Sequence, residues 1–357
     1  MTADPAAAPP GCVLAVCGWS GSGKTTLLET AIARLVAQGL RVAAVKHDAH
    51  GLAIDRPGTD SDRLFRAGAD VALRGPGEAL RRTHRGDADD LAATLDGLLA
   101  DHDLVLVEGH KGTPLPKVWL ASDGRPEPPP EVEAVRAVLP WDVDRPKLFL
   151  AFVADWLAAA WRAVPLHGGV LIGGASLRMG VPKHFLRLGG KTFLERVATS
   201  LSSRVAGTVL LGAGEVPAKL ATLPRLADPP GLAGPLAGIL AAMRWAPAEA
   251  WVFVACDLPL VDDGVLEWLL AERRPGRWAV IPTAGEGLPE PLLAIYEPQA
   301  RSVLESLATG GRFGPSALVG HPKVATVPVP QSLTPSFSNV NTAGDLDLLR
   351  RRRHRWP

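Results

Sequence analysis

Val13-Leu14-Ala15-Val16-Cys17 is a short apolar run that passes directly into Gly18-Trp19-Ser20-Gly21-Ser22-Gly23-Lys24-Thr25. Beyond it, Leu27, Leu28, Ala31, Ile32, Leu35 and Val36 recur at the spacing of one helical face, and Gly39 stands where a helix C-terminus favours glycine. The stretch reads as strand, glycine-rich loop, helix. Gly18, Gly23, Lys24 and Thr25 meet the spacing GxxxxGK[ST], in the strand-before and helix-after context that gives this pattern its meaning. Gly21 and Gly23 let backbone N–H groups turn towards a phosphate chain, and the helix N-terminus adds partial positive charge. Lys24 is placed to reach β- and γ-phosphates, Thr25 to offer a hydroxyl to Mg²⁺, and Thr26 to make a further nucleotide contact.

Outward from this loop, apolar runs at residues 42–45 and 104–107 alternate with helical patterns such as 89–100, which predicts a parallel sheet covered by helices. The run 104–107 ends on Glu108, a candidate Mg²⁺ or water-orienting carboxylate, with an ordinary surface acid as the alternative. Val45-Lys46-His47-Asp48 ends a strand on the same side, as a contact for a phosphate or second substrate or as a solvated loop. Trp19 is the tryptophan placed to touch a nucleotide. No Asn-Lys-x-Asp motif is present, so the loop does not separate ATP from GTP. The Pro-rich residues 125–130 read as a surface loop, because apolar structure resumes at Val132.

A second opening of the same kind begins after the helical run 147–162, at Val170-Leu171-Ile172-Gly173-Gly174. This places a boundary near residues 163–168 and predicts two domains, 1–164 and 165–357. In the second, apolar runs at 209–211, 251–255, 278–281 and 292–296 alternate with helical patterns near 192–203, 235–245 and 298–307. That is again a doubly wound α/β pattern, whose ligands sit beyond the carboxyl ends of the strands. In Leu171-Ile172-Gly173-Gly174-Ala175-Ser176-Leu177-Arg178-Met179-Gly180-Val181-Pro182-Lys183, paired glycines permit close approach to a nucleotide. Arg178 and Lys183 bring two positive charges, suited to holding a triphosphate and neutralising pyrophosphate as it leaves. Asp257 lies just past a strongly apolar strand, where a carboxylate can hold Mg²⁺ against an α-phosphate. Asp228 precedes a Gly/Pro-rich loop, as a nucleotide contact or a turn former. Asn339 and Asn341 flank Val340, so both amides can face one way from an extended segment; helix capping, by Thr342 especially, is the alternative.

The chain has 357 residues, about twice a typical domain. Lys and Arg total 38 against 37 Asp and Glu, a net charge of +1. This excludes the sequence-wide basic excess expected of a protein that coats nucleic acid or a membrane surface, so any anionic ligand must be held locally. Cys12, Cys17 and Cys256 are an odd number at spacings that fit neither a disulfide framework nor a CxxC metal site, which points to a reducing, cytoplasmic compartment. The N-terminal residues lack the charge pattern of a signal peptide, and the longest apolar stretch, 148–166, is interrupted by Asp155 and Arg162. The expectation is therefore no membrane span. The basic run 350–355 reads as a solvated helix end or a site for an anionic partner.

The first loop, together with Lys46-His47-Asp48-Ala49-His50, Asp55-Arg56-Pro57-Gly58-Thr59-Asp60-Ser61 and Val107-Glu108-Gly109-His110-Lys111, resembles the molybdopterin-guanine dinucleotide biosynthesis protein MobB over about the first 160 residues. The resemblance implies a P-loop NTPase-like domain that binds GTP, with weak GTPase activity and a helper role; His110 stands where members often carry Phe. The second loop, with Asp228-Pro229-Pro230-Gly231-Leu232-Ala233-Gly234-Pro235-Leu236-Ala237-Gly238, Val254-Ala255-Cys256-Asp257-Leu258-Pro259 and Asn339-Val340-Asn341-Thr342, resembles the molybdenum cofactor guanylyltransferase MobA over roughly residues 168–350. That resemblance implies a Rossmann-like nucleotidyltransferase domain with a mostly parallel sheet. It would transfer GMP from Mg-GTP to the terminal phosphate of molybdopterin bearing molybdenum or tungsten. Carried over by position, Leu171, Gly173, Gly174, Lys183 and Asp228 would contact GTP, Asp257 would bind Mg²⁺, and Asn339 and Asn341 would meet molybdopterin. Lys183, Arg178 and Asp257 would carry catalysis. Gly212 stands where some relatives use a side-chain amide, and Ala343 where proline is common. A molybdenum insertion protein and apo-oxidoreductases are the implied partners. The alternatives are molybdopterin cytidylyltransferase or another nucleotidyltransferase, and a non-catalytic cofactor carrier or adaptor.

Overall fold

The computed structural model describes residues 12–46, 55–84, 91–172, 182–285 and 287–353, with side chains to 351. In chain order the first part contains β1 (Val13–Gly18), α1 (Lys24–Ala37), β2 (Val42–Lys46), α2 (Asp60–Arg66), β3 (Val71–Arg74), β4 (Ala79–Arg82), α3 (Leu91–Leu99), β5 (Leu104–Glu108), β6 (Lys117–Leu120), β7 (Val135–Leu139) and α4 (Arg145–Ala163). Five strands form one sheet in the order β2-β5-β1-β6-β7, and every neighbouring pair is parallel. Strands buried on both faces read as continuous apolar runs. β1 is such a strand, buried at all six positions. Leu27, Leu28, Ala31 and Leu35 of α1 pack with Phe149 and Val153 of α4 on one face. Leu95 of α3 packs with Val13, Ala15, Val105 and Val107 on the other. Val36, expected on the buried face of α1, is instead 51% exposed, so the apolar stripe is narrower than its spacing suggests.

The second part contains β8 (Leu166–Leu171), β9 (Arg187–Leu188), β10 (Lys191–Thr192), α5 (Phe193–Ser202), β11 (Thr208–Leu211), β12 (Arg225–Leu226), α6 (Pro235–Trp245), β13 (Ala250–Ala255), α7 (Asp263–Ala271), β14 (Ala279–Ala284), β15 (Leu288–Pro289), β16 (Leu293–Tyr296), α8 (Ala300–Thr309), β17 (Val324–Pro328) and α9 (Ala343–Arg353). Its eight-stranded sheet runs β12-β11-β8-β13-β16-β14-β15, with β17 also paired to β14. β12, β11, β8 and β13 are mutually parallel, whereas β16 runs antiparallel to both β13 and β14. Residues of α5 and α7 cover one face and residues of α6 and α8 the other. The turn Val164–Pro165 joins α4 to β8, and Ala250 N–H donates to Pro165 O at 2.9 Å.

The two sheets share a core. Cys12, Leu157 and Trp161 of the first part belong to the same apolar cluster as Leu240, Trp278 and Tyr296 of the second. Asp103, fully buried at 0% exposure, accepts from Trp278 Nε1 at 2.7 Å and pairs with Lys323. Lys323 Nζ also donates to Gly39 O at 2.6 Å, and Arg41 N–H to Asp103 Oδ2 at 2.7 Å. Burial of this ion pair is tolerated because each partner has further hydrogen bonds. Desolvation likewise pushes the Cys12 thiol up to about 12, so this cysteine is a small core side chain.

Candidate functional site

The first site is assembled at the carboxyl end of the five-stranded sheet. A Cβ on Gly18 would lie 2.5 Å from Ser22 Oγ and 2.9 Å from Leu120 O, so the loop can close over β6 only with glycine there. Gly21 and Gly23 have φ of 72° and 85°, the left-handed region that glycine adopts freely. α1 starts without a side-chain cap and with no acidic residue in its first turn, which leaves its first N–H groups for an anion. Ser22 Oγ is buried with no partner among the described residues, and Lys24 Nζ donates to Trp19 O at 2.9 Å. The parallel pairing of β1 and β5 sets Glu108 opposite Val16 and brings it to Thr25 across 83 residues of sequence. Thr25 Oγ1 lies 2.9 and 3.0 Å from the two Glu108 oxygens. Glu108 therefore has a partner at the start of α1. Trp19 is half-buried, edge-on to Trp119 at 5.8 Å, with Lys111 and Arg125 over its ring at 5.1 and 5.0 Å.

Sequence reasoning missed Arg145. Its guanidinium donates to Pro140 O at 2.7 Å, to Ser22 O at 2.8 Å, and to Ala121 O. One planar fork thereby ties the glycine-rich loop to the ends of β6 and β7. Its signal in sequence is faint: an arginine at the start of a helix, after Asp144, whose side chain caps that helix.

The second site lies beyond the carboxyl ends of β8 and β13. Lys183 Nζ donates to Asp257 Oδ2 at 2.9 Å and to Asn341 Oδ1 at 2.5 Å, joining residues 74 and 158 positions apart. Val340 N–H donates to Asp257 O at 2.9 Å, which docks the segment before α9 against the end of β13. Asn341 is thus a partner of Lys183, while Thr342 is a cap: Thr342 Oγ1 accepts from Asp345 N–H, and Asp345 Oδ2 accepts from the N–H groups of Asn341 and Thr342. Those backbone N–H groups hold the Asp345 carboxyl below the usual aspartate range, with a smaller contribution from Lys183. Asn339 Nδ2 donates to Glu290 Oε2 at 3.2 Å. Glu290 is a further site residue that the sequence did not single out. Burial pushes its carboxyl up, Asp257 adds to the rise, and the hydrogen bonds from Asn339 and Leu292 N–H oppose it.

The remaining expectations divide. The Leu171 side chain is buried, with Cδ2 2.8 Å from the position a Cβ on Gly238 would take, so it packs closely against α6 beneath the site. Asp228 is exposed, with Oδ1 3.9 Å from the position a Cβ on Gly238 would take, so it stands beside the start of α6. Gly173, Gly174 and Arg178 lie outside the described residues, as do His47 and Asp48. A cavity of about 720 Å³ adjoins the site, lined by Ile172, Pro182, His184, Phe185, Ala213, Gly214 and Glu215. Burial lowers the His184 pKa, which keeps that imidazole neutral at pH 7, and its Nε2 lies 2.9 Å from Glu215 O. Among the described residues no group of three or more His, Cys, Asp or Glu could hold a metal ion alone, and no helix is long and apolar enough to cross a membrane.

Two family models match the chain: molybdopterin guanine dinucleotide synthesis protein B over residues 13–141, and the MobA-like NTP transferase domain over residues 168–322. The chain is 36% identical over 160 residues to the molybdopterin-guanine dinucleotide biosynthesis adapter protein of Haemophilus influenzae, an alignment covering 41% of this chain and 89% of that protein. It is 36% identical over 191 residues to the molybdenum cofactor guanylyltransferase of Rhizobium meliloti, covering 50% and 87%. The molybdenum cofactor biosynthesis bifunctional protein of Synechocystis is 34% identical over 140 residues, 38% of this chain and 40% of that one. By these matches the chain belongs to the MobB family in its first part and to the MobA-like NTP transferase family in its second.

Proposed function

We propose that residues 165–357 transfer GMP from GTP to the terminal phosphate of molybdopterin carrying molybdenum or tungsten, and that residues 1–164 bind GTP and assist. The observation that carries this reading is the Lys183–Asp257–Asn341 cluster, drawn from three separate segments to one sheet end of a MobA-like domain. An acceptor phosphate oxygen attacks the α-phosphorus, forming one P–O bond. The bond to the bridging oxygen breaks, and pyrophosphate leaves with the electron pair. The acceptor is already an anion, so the chain need supply no strong base; its task is positioning and charge neutralisation.

The Lys183 ammonium is paired with Asp257, and triphosphate binding would exchange that partner for phosphate oxygens. Asp257 is then free to serve as a ligand. An oxygen-only set with few protein carboxylates suits Mg²⁺, which takes its other ligands from phosphate and water. Asp257 fits it in the second site, and Thr25 with Glu108 in the first. Bound Mg²⁺ supplies charge neutralisation along the triphosphate. Asp228 and the floor formed by Leu171 and Gly238 would border the nucleotide, and Asn339 and Asn341 the molybdopterin. In the first part, Lys24 exchanges the Trp19 carbonyl for a phosphate oxygen in the same manner.

The test supplies purified chain with molybdenum-loaded molybdopterin and GTP, CTP or ATP in turn, and measures pyrophosphate and dinucleotide. Release of pyrophosphate with GTP, together with a guanine dinucleotide product, is expected. Turnover with CTP alone would overturn the choice of nucleotide, and tight cofactor binding without turnover would favour a carrier.

A further inference from the structure

Asn339 and Asn341 flank the buried Val340, and each amide is held by a different kind of charge. Glu290 Oε2 accepts from Asn339 Nδ2 at 3.2 Å while Oε1 accepts Leu292 N–H at 3.3 Å, so both carboxylate oxygens are engaged. The backbone of Glu290 is fixed as well, donating to Pro282 O at 2.9 Å between β15 and β16. On the other side, Asn341 Oδ1 accepts from the Lys183 ammonium. Both Glu290 oxygens accept in this arrangement and the Lys183 ammonium only donates, so each partner dictates which end of its amide it takes. Asn339 must turn its NH₂ to Glu290, which leaves Oδ1 as an acceptor. Asn341 must turn its carbonyl to Lys183, which leaves its NH₂ as a donor.

We infer that Glu290 is a positioning residue that sets the polarity of Asn339, so that the two amides offer one acceptor and one donor to a nitrogen heterocycle presenting N–H and an acceptor on one edge. A pterin has such an edge. A phosphate offers acceptors only and would meet the Asn339 carbonyl unfavourably. The inference rests on the proposal that Asn339 and Asn341 face molybdopterin, and it adds which part of that molecule they read and what orients them.

Substitution at residue 290 separates orientation from simple packing. In Glu290→Gln, Oε1 can keep the Leu292 N–H only if Nε2 faces Asn339, which must then turn its carbonyl inward and present NH₂ to the ligand. Adding Asn339→Asp lets one carboxylate oxygen accept from Gln Nε2 and leaves the other as the missing acceptor. Steady-state transfer assays should show the KM for molybdopterin rising about tenfold in Glu290→Gln, with the KM for GTP and Tm unchanged. The double variant Glu290→Gln/Asn339→Asp should return to within about threefold of the parent. A wild-type molybdopterin KM in Glu290→Gln, a rise shared equally by GTP, or a double variant no better than the product of its two single defects would each overturn the inference. Asn339→Ala distinguishes the layers: an unchanged molybdopterin KM there refutes the contact itself. A raised KM in Asn339→Ala with none in Glu290→Gln refutes only the orienting role.

Discussion

The two candidate phosphate sites of this chain occupy the same place in similar folds but are made differently. The first is written almost continuously: Gly18 to Thr25 shape the loop, and Glu108 and Arg145 join it from elsewhere. The second is dispersed, its lysine at 183 meeting a carboxylate 74 residues on and an amide 158 residues on. A backbone cradle needs glycines in order along the chain, whereas a site built of charged side chains can take each from a different strand end. The first is therefore specified by local conformation, and the second depends on the whole eight-stranded sheet being in register.

The largest effect that would sharpen this contrast is at the dispersed site. Lys183→Ala or Asp257→Ala should lower GMP transfer by about 10³-fold or more, as expected when charge neutralisation of a leaving phosphate is lost. GTP binding at the first loop, read by equilibrium dialysis, should be unchanged. Normal transfer in either variant would sink the assignment.

Next in size is the junction between the sheets. Asp103→Ala would leave the buried Lys323 ammonium and Trp278 N–H without their shared acceptor, and should destabilise the chain by about 3–5 kcal/mol in denaturant unfolding. Loss confined to one of two separate transitions, with little change in the other, would show that the sheets fold independently of this contact.

The continuous site has its own long-range dependence. Arg145→Lys keeps the charge but cannot reach three carbonyls with one planar group, and should weaken nucleotide binding at the first loop about tenfold while leaving GMP transfer intact. Equal loss at both sites would mark a general folding defect instead.

The smallest effect concerns acid stability at the start of α2. The Gly58 N–H and the Arg66 guanidinium hold the Asp62 carboxyl down at about 2. A lowered folded pKa contributes stability that is present above the ordinary aspartate range and is lost as pH falls through the folded value. Asp62→Asn should therefore flatten the stability profile between about pH 4 and 2, read by circular dichroism. An unchanged acid limb would contradict the pairing.

Much of this was legible in the residues. The strand–loop–helix at 13–37 and the strand before Asp257 carry strong local signals, because apolar runs and glycine positions reflect sterics that act within a few residues. The antiparallel entry of β16 was not legible, since Leu293–Tyr296 is as apolar as a parallel strand buried on both faces. The hairpin of β3 and β4 also went unseen: Ala79–Arg82 carries two arginines and little apolar pattern. Glu290 and Arg145 escaped for a related reason. Their roles come from what they touch across the fold, and neither belongs to a spaced motif.

The central claim is that transfer chemistry belongs to the dispersed site and not to the glycine-rich loop. Its most direct test follows the α-phosphate of labelled GTP in the Lys24→Ala and Lys183→Ala chains supplied with molybdenum-loaded molybdopterin. The account predicts label in the dinucleotide at close to parental rate with Lys24→Ala and none with Lys183→Ala. Label carried by the Lys183→Ala chain and lost from the Lys24→Ala chain would contradict it.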